Sequence, residues 1–243
     1  GKGMDGTPQY VNPMDMNLNY SEDDSPLALK SDFILSLCEL VIGGKEGLQP
    51  VDKTVIDRAV RNVYRDYLAD PVPEKMPILG DLYDELLKQP EPEAHALALE
   101  LELFTKGSLN TFAQQTNVDT DKRLICYDIM ELGEQLRPIG MLVILDNILN
   151  RITANRRKGR QTFVYVDEIY LLFQYEYSAQ FLFKLWKRVR KYGAFCTGIT
   201  QDVEDLLQSH IARTMLSNSE FVLMLNQAAT NREELARLLN ISD

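Results

Sequence analysis

Histidine, cysteine and long apolar runs are all scarce in this chain. There are 2 His and 3 Cys in 243 residues. His95 and His210 lie far apart in sequence, which argues against a histidine triad or a histidine-based metal site. Cys38, Cys126 and Cys196 occupy apolar segments and lack metal-ligand spacing. They read as buried, reduced thiols of a cytosolic compartment rather than a disulfide framework. No apolar run approaches the roughly 18 residues of a membrane span, and no signal peptide is visible. Basic residues are outnumbered, with Lys+Arg 26 against Asp+Glu 36 and a net charge of −10, so broad nonspecific nucleic-acid binding is disfavoured. A phosphate loop of the form G-x-x-x-x-G-K-[ST] is also missing. Gly1-Lys2-Gly3 lacks the upstream glycines and the following hydroxyl, and Gly43-Gly44-Lys45 follows a helix rather than a strand.

What is present is ordinary globular material. Hydrophobic residues make up 45% and charged residues 26%, enough for a substantial core in one large or two small domains. Residues 1–25 are polar and turn-rich, with a short strand expected at Gln9–Val11 and a turn at Asn12-Pro13-Met14-Asp15. Ser25-Pro26 is a helix start, Ser as N-cap and Pro at the first helical position. That helix is expected to run to Ile42 and stop at Gly43-Gly44. Further helices are expected from Pro50, over Leu79–Leu87 and over Glu93–Phe104, making 26–107 an all-helical block. After Asp119 the pattern changes. Strands are expected at Lys122–Ile129, 162–167, Ala194–Thr200 and Glu220–Leu225. They alternate with helices at Pro138–Ala154, Ser178–Tyr192, Val203–Ser209, Ile211–Leu216 and Arg232–Leu239. Such alternation predicts parallel right-handed crossovers. The expected fold is α/β, a doubly wound, mainly parallel sheet with an inserted all-α subdomain. The expected division is 1–25 as an N-terminal remnant of the core, 26–107 as the insertion and 108–243 as the core.

The run FVYVDEIYLL (163–172) is the most informative segment. An apolar strand that ends in Asp167-Glu168 delivers two carboxylates to the carboxyl edge of a sheet, where open α/β folds bind ligands. In nucleotide hydrolases the first carboxylate holds Mg²⁺, usually through water, and the second polarises the attacking water. The bland alternative is a core strand ending in a solvated turn. AFCTGIT ends in Thr200-Gln201, so a neighbouring strand would bring Gln201 to the same edge. An amide there can donate to a phosphate and accept from water at once. The preceding helix carries Lys187, Arg188, Arg190 and Lys191, and a guanidinium can stabilise phosphoryl-transfer charge. Residues 188 and 190 are about 200° apart on a helix, so at most one faces a given nucleotide. Asn218, Gln227 and Arg232 flank the last expected strand and could also reach the site edge, although each reads more simply as a loop or helix polar residue. Phe183 and Trp186, at helical spacing, read as core rather than as a base-stacking platform.

Taken in order, YVNPMDMN (10–17), SDFILSLCELVIGG (31–44), FVYVDEIYLL (163–172), LWKRVRKYGAFCTGITQDVEDLL (185–207) and SNSEFVLMLNQA (217–228) resemble one family across nearly the whole chain. It is the ATPase domain of the conjugative-transfer and type IV secretion ATPases, the fourth VirB protein and its TraC/TraE-like relatives, in the variant of Gram-positive conjugative elements. These belong to the RecA-like HerA/FtsK group of P-loop NTPases. The resemblance implies a RecA-like core with an inserted all-α domain. It implies that Asp167 and Glu168 are the Walker B pair, with ATP and Mg²⁺ as cofactors. It implies that Gln201 is a sensor-like glutamine and that the Arg188–Arg190 segment carries the family's motif arginine. It also implies a hexameric parent with other type IV secretion components as partners, at the cytoplasmic inner face of a bacterial membrane, held there through those partners. The chain opens abruptly at Gly1, so a fragment with its Walker A loop upstream is expected, one inactive alone. Two alternatives stand beside the motor reading. One is a DNA-translocating coupling-type motor using basic loops such as Arg156–Arg160. The other is a catalytically silent docking module presenting residues 26–107.

Overall fold

The computed structural model describes residues 6–19, 25–44, 46–201, 203–225 and 229–239. The chain divides into two compact units, Gly1–Gly159 and Arg160–Asp243. No helix among the described residues is long and apolar enough to cross a membrane.

The first unit is helical. Its elements are α1 (Pro26–Ile42), α2 (Pro50–Val63), α3 (Arg65–Ala69), α4 (Leu79–Lys88), α5 (Pro92–Thr105) and α6 (Gly133–Arg157). The start of α1 follows the sequence signal: the Ser25 Oγ accepts from the Ala28 N–H at 3.2 Å. Proline at the first turn recurs in α2 and α5, where its missing N–H is not needed. The apolar faces of α1, α2, α4 and α5 meet in a core that includes Phe33, Ile34, Val55, Ile56, Leu82 and Leu86. The helix α6 begins a turn and a half before the expected Pro138, at Gly133, whose φ of 69° no β-carbon would favour.

The segment 8–17 threads this unit without forming the strand expected at Gln9–Val11. Its polar groups are satisfied by distant residues instead. The Asn12 side chain donates to the Pro77 carbonyl at 2.8 Å, and its backbone N–H donates to Thr116 Oγ1 at 2.8 Å. Tyr64 Oη donates to the Met14 carbonyl, and Asn150 Nδ2 donates to the Asp15 carbonyl. Lys30 Nζ donates to the Pro13 carbonyl at 3.2 Å and pairs with Asp146 at 2.5 Å, the two side chains only 4% and 8% exposed. A buried charge needs such a partner. Burial pushes the Asp146 carboxyl up, and Lys30 opposes that shift. Burial also raises Asp15, against the hydrogen bond it accepts from Thr116.

The second unit holds β1 (Thr162–Val166), α7 (Glu176–Val189), β2 (Ala194–Gly198), α8 (Val203–Gln208), α9 (His210–Ser217) and α10 (Ala229–Leu239). β1 and β2 pair in parallel, with Thr162 opposite Ala194 and Val166 opposite Gly198. Helix α7 makes the crossover, as the alternation predicts. On one face of this pair Phe163 stacks on Phe195, centroids 5.1 Å apart, and Tyr165 stands exposed beside them. The expected multi-stranded sheet is not seen: among the described residues the sheet has two strands. Lys122–Ile129 and Glu220–Leu225, both expected as strands, carry no ladder. Strand-forming residues become a strand only where a neighbour accepts their backbone bonds. Here they stay irregular, with Leu124 and Phe221 about nine-tenths exposed.

Candidate functional site

The carboxyl edge of the two strands collects the acidic pair. TFVYV is rich in β-branched and aromatic residues, which favours the extended form. The ladder ends irregularly. The Ile199 N–H donates to the Val166 carbonyl at 2.8 Å, as a regular parallel ladder requires. The Ile199 carbonyl should then accept from Glu168. It accepts from the Ile169 N–H at 3.0 Å instead. Asp167 and Glu168 thus share a single opposing residue, a one-residue bulge of the kind found beside active sites. Glu168 turns left-handed at φ 49° and ψ 43°, the one non-glycine residue with positive φ among the described residues. For a residue with a β-carbon that conformation costs about 1–2 kcal/mol. The displaced Glu168 N–H finds its acceptor in Asp167 Oδ1 at 2.9 Å.

Gln201 lies three residues beyond Gly198, whose partner is Val166. The backbone therefore brings Asp167, Glu168 and Gln201 to one rim. Asp167 and Gln201 are exposed there and Glu168 is half-buried. Arg188 and Arg190 are not brought to it. They close α7, which returns the chain from the carboxyl edge to the amino edge, where Thr162 N–H meets the Gly193 carbonyl at 3.4 Å. The Arg190 side chain is 89% exposed and stands 3.9 Å from the Glu220 carboxylate.

Of the lesser candidates, Asn218 is taken up in capping α9, its Nδ2 donating to the Thr214 carbonyl at 2.6 Å. Arg232 lies exposed on α10, and Gln227 falls outside the described residues. Phe183 lies under the Lys187 ammonium at 4.2 Å, a surface cation–π contact. Sequence reasoning missed Ile199, Gly198 and Ile169, which carry the bulge. Only the glycine in TGIT could have hinted at them.

The donor set suits Mg²⁺. Among the described residues no three His, Cys, Asp or Glu gather as a metal cage. Mg²⁺ asks for less: one or two carboxylates, with waters and phosphate oxygens completing its shell. Asp167 offers a hard oxygen at an exposed rim. The glycine-rich cradle for the other phosphates is not found in these residues.

The model of the TraG P-loop domain family matches residues 81–243. The chain belongs to that family. The TraG P-loop match sets it among P-loop NTPases, a nucleotide-binding class, and bears out the resemblance to conjugation and type IV secretion ATPases read from the sequence. Among solved structures, the VirB4 of Thermoanaerobacter pseudethanolicus matches with a TM-score of 0.79 at 24% identity, over 96% of this chain and 66% of that one. The two share a fold, and this chain spans about two thirds of the length of that relative. No curated protein matches.

Proposed function

We propose that the protein hydrolyses ATP to power conjugative transfer or type IV secretion. The observation that carries this reading is the common rim of Asp167, Glu168 and Gln201, three polar residues from two parallel strands. In this reading Asp167 holds Mg²⁺ through water. Bound Mg²⁺ supplies charge neutralisation at the phosphate oxygens. Glu168 orients the attacking water and accepts its proton, and Gln201 hydrogen-bonds the terminal phosphate. The motif arginine, Arg188 or Arg190, lies at the far edge of the strands, which favours its acting on the site of a neighbouring subunit over acting on its own.

Further elements of the reading follow from the family. The parent is a hexamer working with other type IV secretion components at the cytoplasmic face of a bacterial membrane. Its core is a doubly wound sheet spanning 108–243, with 26–107 inserted and 1–25 belonging to the core's start. The DNA-translocating alternative draws little support from the basic stretch. Arg151 and Lys158 both converge on Asp121, at 2.6 and 3.6 Å, and Arg157 meets Asn19.

The test is Glu168→Gln in the full-length protein. ATP turnover should fall by about a hundredfold or more while nucleotide binding holds, the usual scale for loss of a general base. Turnover at the wild-type level would remove Glu168 from this role.

A further inference from the structure

The residues that shape the acidic rim bear no functional groups of their own. We propose that Gly198 and Ile169 are positioning residues for the acidic pair: the Ile169 side chain, laid over the bare Cα of Gly198, locks the bulge that keeps Glu168 left-handed. The inference rests on the reading of Glu168 as the water-orienting carboxylate.

The bulge is held at two points. On the chain side, Asp167 Oδ1 accepts the Glu168 N–H that the ladder has released. On the sheet side, the Ile169 N–H takes over the bond to the Ile199 carbonyl that Glu168 would otherwise make. Ile169 keeps that bond only if its side chain fits against β2. It does so, buried, across Gly198. A β-carbon at position 198 would stand 2.7 Å from Ile169 Cδ1, 3.3 Å from Cγ2 and 3.7 Å from Cβ. The Cδ1 methyl takes the hardest contact, and in a residue only 5% exposed it has little free space to swing into. Cγ2 must give by a few tenths of an ångström as well, while Cβ stays in ordinary contact. Because a β-branched side chain is stiff at χ1, that displacement passes to the Ile169 backbone, which is joined directly to Glu168. Any side chain at 198 therefore presses on the bulge. The easiest relief is a return to the regular ladder, in which Glu168 recovers its bond to Ile199 and loses its left-handed turn.

The experiment compares Gly198→Ala with the double variant Gly198→Ala/Ile169→Val in the full-length protein. Valine lacks the Cδ1 that the new β-carbon meets first. Both are read by steady-state ATP turnover and by residue-resolved amide exchange at Glu168 and Ile169. For Gly198→Ala we expect kcat to drop about tenfold or more with KM within about twofold, the pattern of a displaced catalytic group rather than lost binding. Exchange at the Ile169 amide, which loses its acceptor on Ile199, should rise about tenfold, while the Glu168 amide, which regains that acceptor, should exchange no faster than in wild type. The double variant should recover most of both losses. Wild-type kcat and wild-type exchange in Gly198→Ala overturn the inference. So does a double variant no better than the single one. The functional reading fails separately: if Glu168→Gln turns over normally, Glu168 loses its role, and the exchange data alone then decide whether Gly198 and Ile169 hold the bulge.

Discussion

An arginine that serves this site must travel a distance the structure fixes. From Gly193, at the amino edge, to Ile199, at the carboxyl edge, the chain advances six residues. At about 3.3 Å per residue that is about 20 Å, farther than a single side chain spans. Arg188 and Arg190 lie at the end of the returning helix, and at about 1.5 Å per helical residue Arg188 stands only about 8 Å back toward the rim. The remaining distance of about 12 Å still exceeds a single side chain, so neither reaches the rim of its own subunit. Each can reach a neighbour's rim in a head-to-tail ring, where every subunit meets the next through different surfaces. Replacing both by alanine should cost about a thousandfold or more in kcat, the scale for a transition-state arginine. Glu168→Gln should be comparably inactive. The two dead proteins differ in what they lack. In an equal mixture, about a quarter of the interfaces bring an intact Glu168 beside an intact arginine pair, so about a quarter of wild-type turnover should return. The assay is ATPase activity after subunit exchange, with native mass spectrometry confirming mixed oligomers. Mixed oligomers that stay inactive would refute the argument. So would an arginine double variant that keeps wild-type turnover.

Other consequences are simpler to read. Lys30→Met strands the Asp146 carboxylate inside the helical unit and should destabilise it by about 3–5 kcal/mol, seen as a lower urea midpoint, while Lys30→Met/Asp146→Leu recovers much of the loss. A Lys30→Met midpoint equal to wild type would mean that the pair contributes nothing. Asp15 has its folded pKa raised above the ordinary 3.8, chiefly by desolvation, so its contribution is most favourable below 3.8 and is lost as pH rises through the higher folded value. Asp15→Asn should therefore gain stability over wild type at neutral pH and lose that advantage on acidification toward 3.8, and parallel denaturation curves across that window would contradict it. Cys38 and Cys196 are pushed up to about 12 by burial, whereas Cys126 is exposed. Brief native alkylation followed by peptide mapping should label Cys126 first. Equal labelling of all three would show that the packing around the other two opens readily.

The helical half was legible because its signals are local. Ser25-Pro26 announces α1 and its hydrogen bond confirms the cap. The apolar-then-acidic run likewise announces β1 and its edge. Parallel pairing of β1 with β2 followed from one crossover helix and the glycine that ends it. What the sequence concealed depends on partners far away in the chain. The strings KRLICYDI and EFVLML have strand composition, but a ladder is a property of two segments, and among the described residues no neighbour pairs with them. The left-handed Glu168 was equally hidden. Glutamate has no preference for that turn, and the bulge is imposed by Ile169 and Gly198 across the sheet. Asn12-Pro13-Met14-Asp15 read correctly as a turn, yet nothing local revealed that its groups bond to Pro77, Thr116, Lys30 and Asn150.

That last arrangement dictates when the helical unit can finish folding. Lys30 waits for Asp146, 116 residues later, and Asn12 waits for Thr116. At ribosomal speeds of about 5–20 residues per second, the acid emerges on the order of ten seconds after the lysine. Through that interval α1 and α2 can coil, but Lys30 lacks its counter-ion and the 8–17 segment lacks its anchors. The nascent chain thus carries a half-built interior until α6 leaves the exit tunnel, and translation tempo between residues 30 and 150 becomes a determinant of yield.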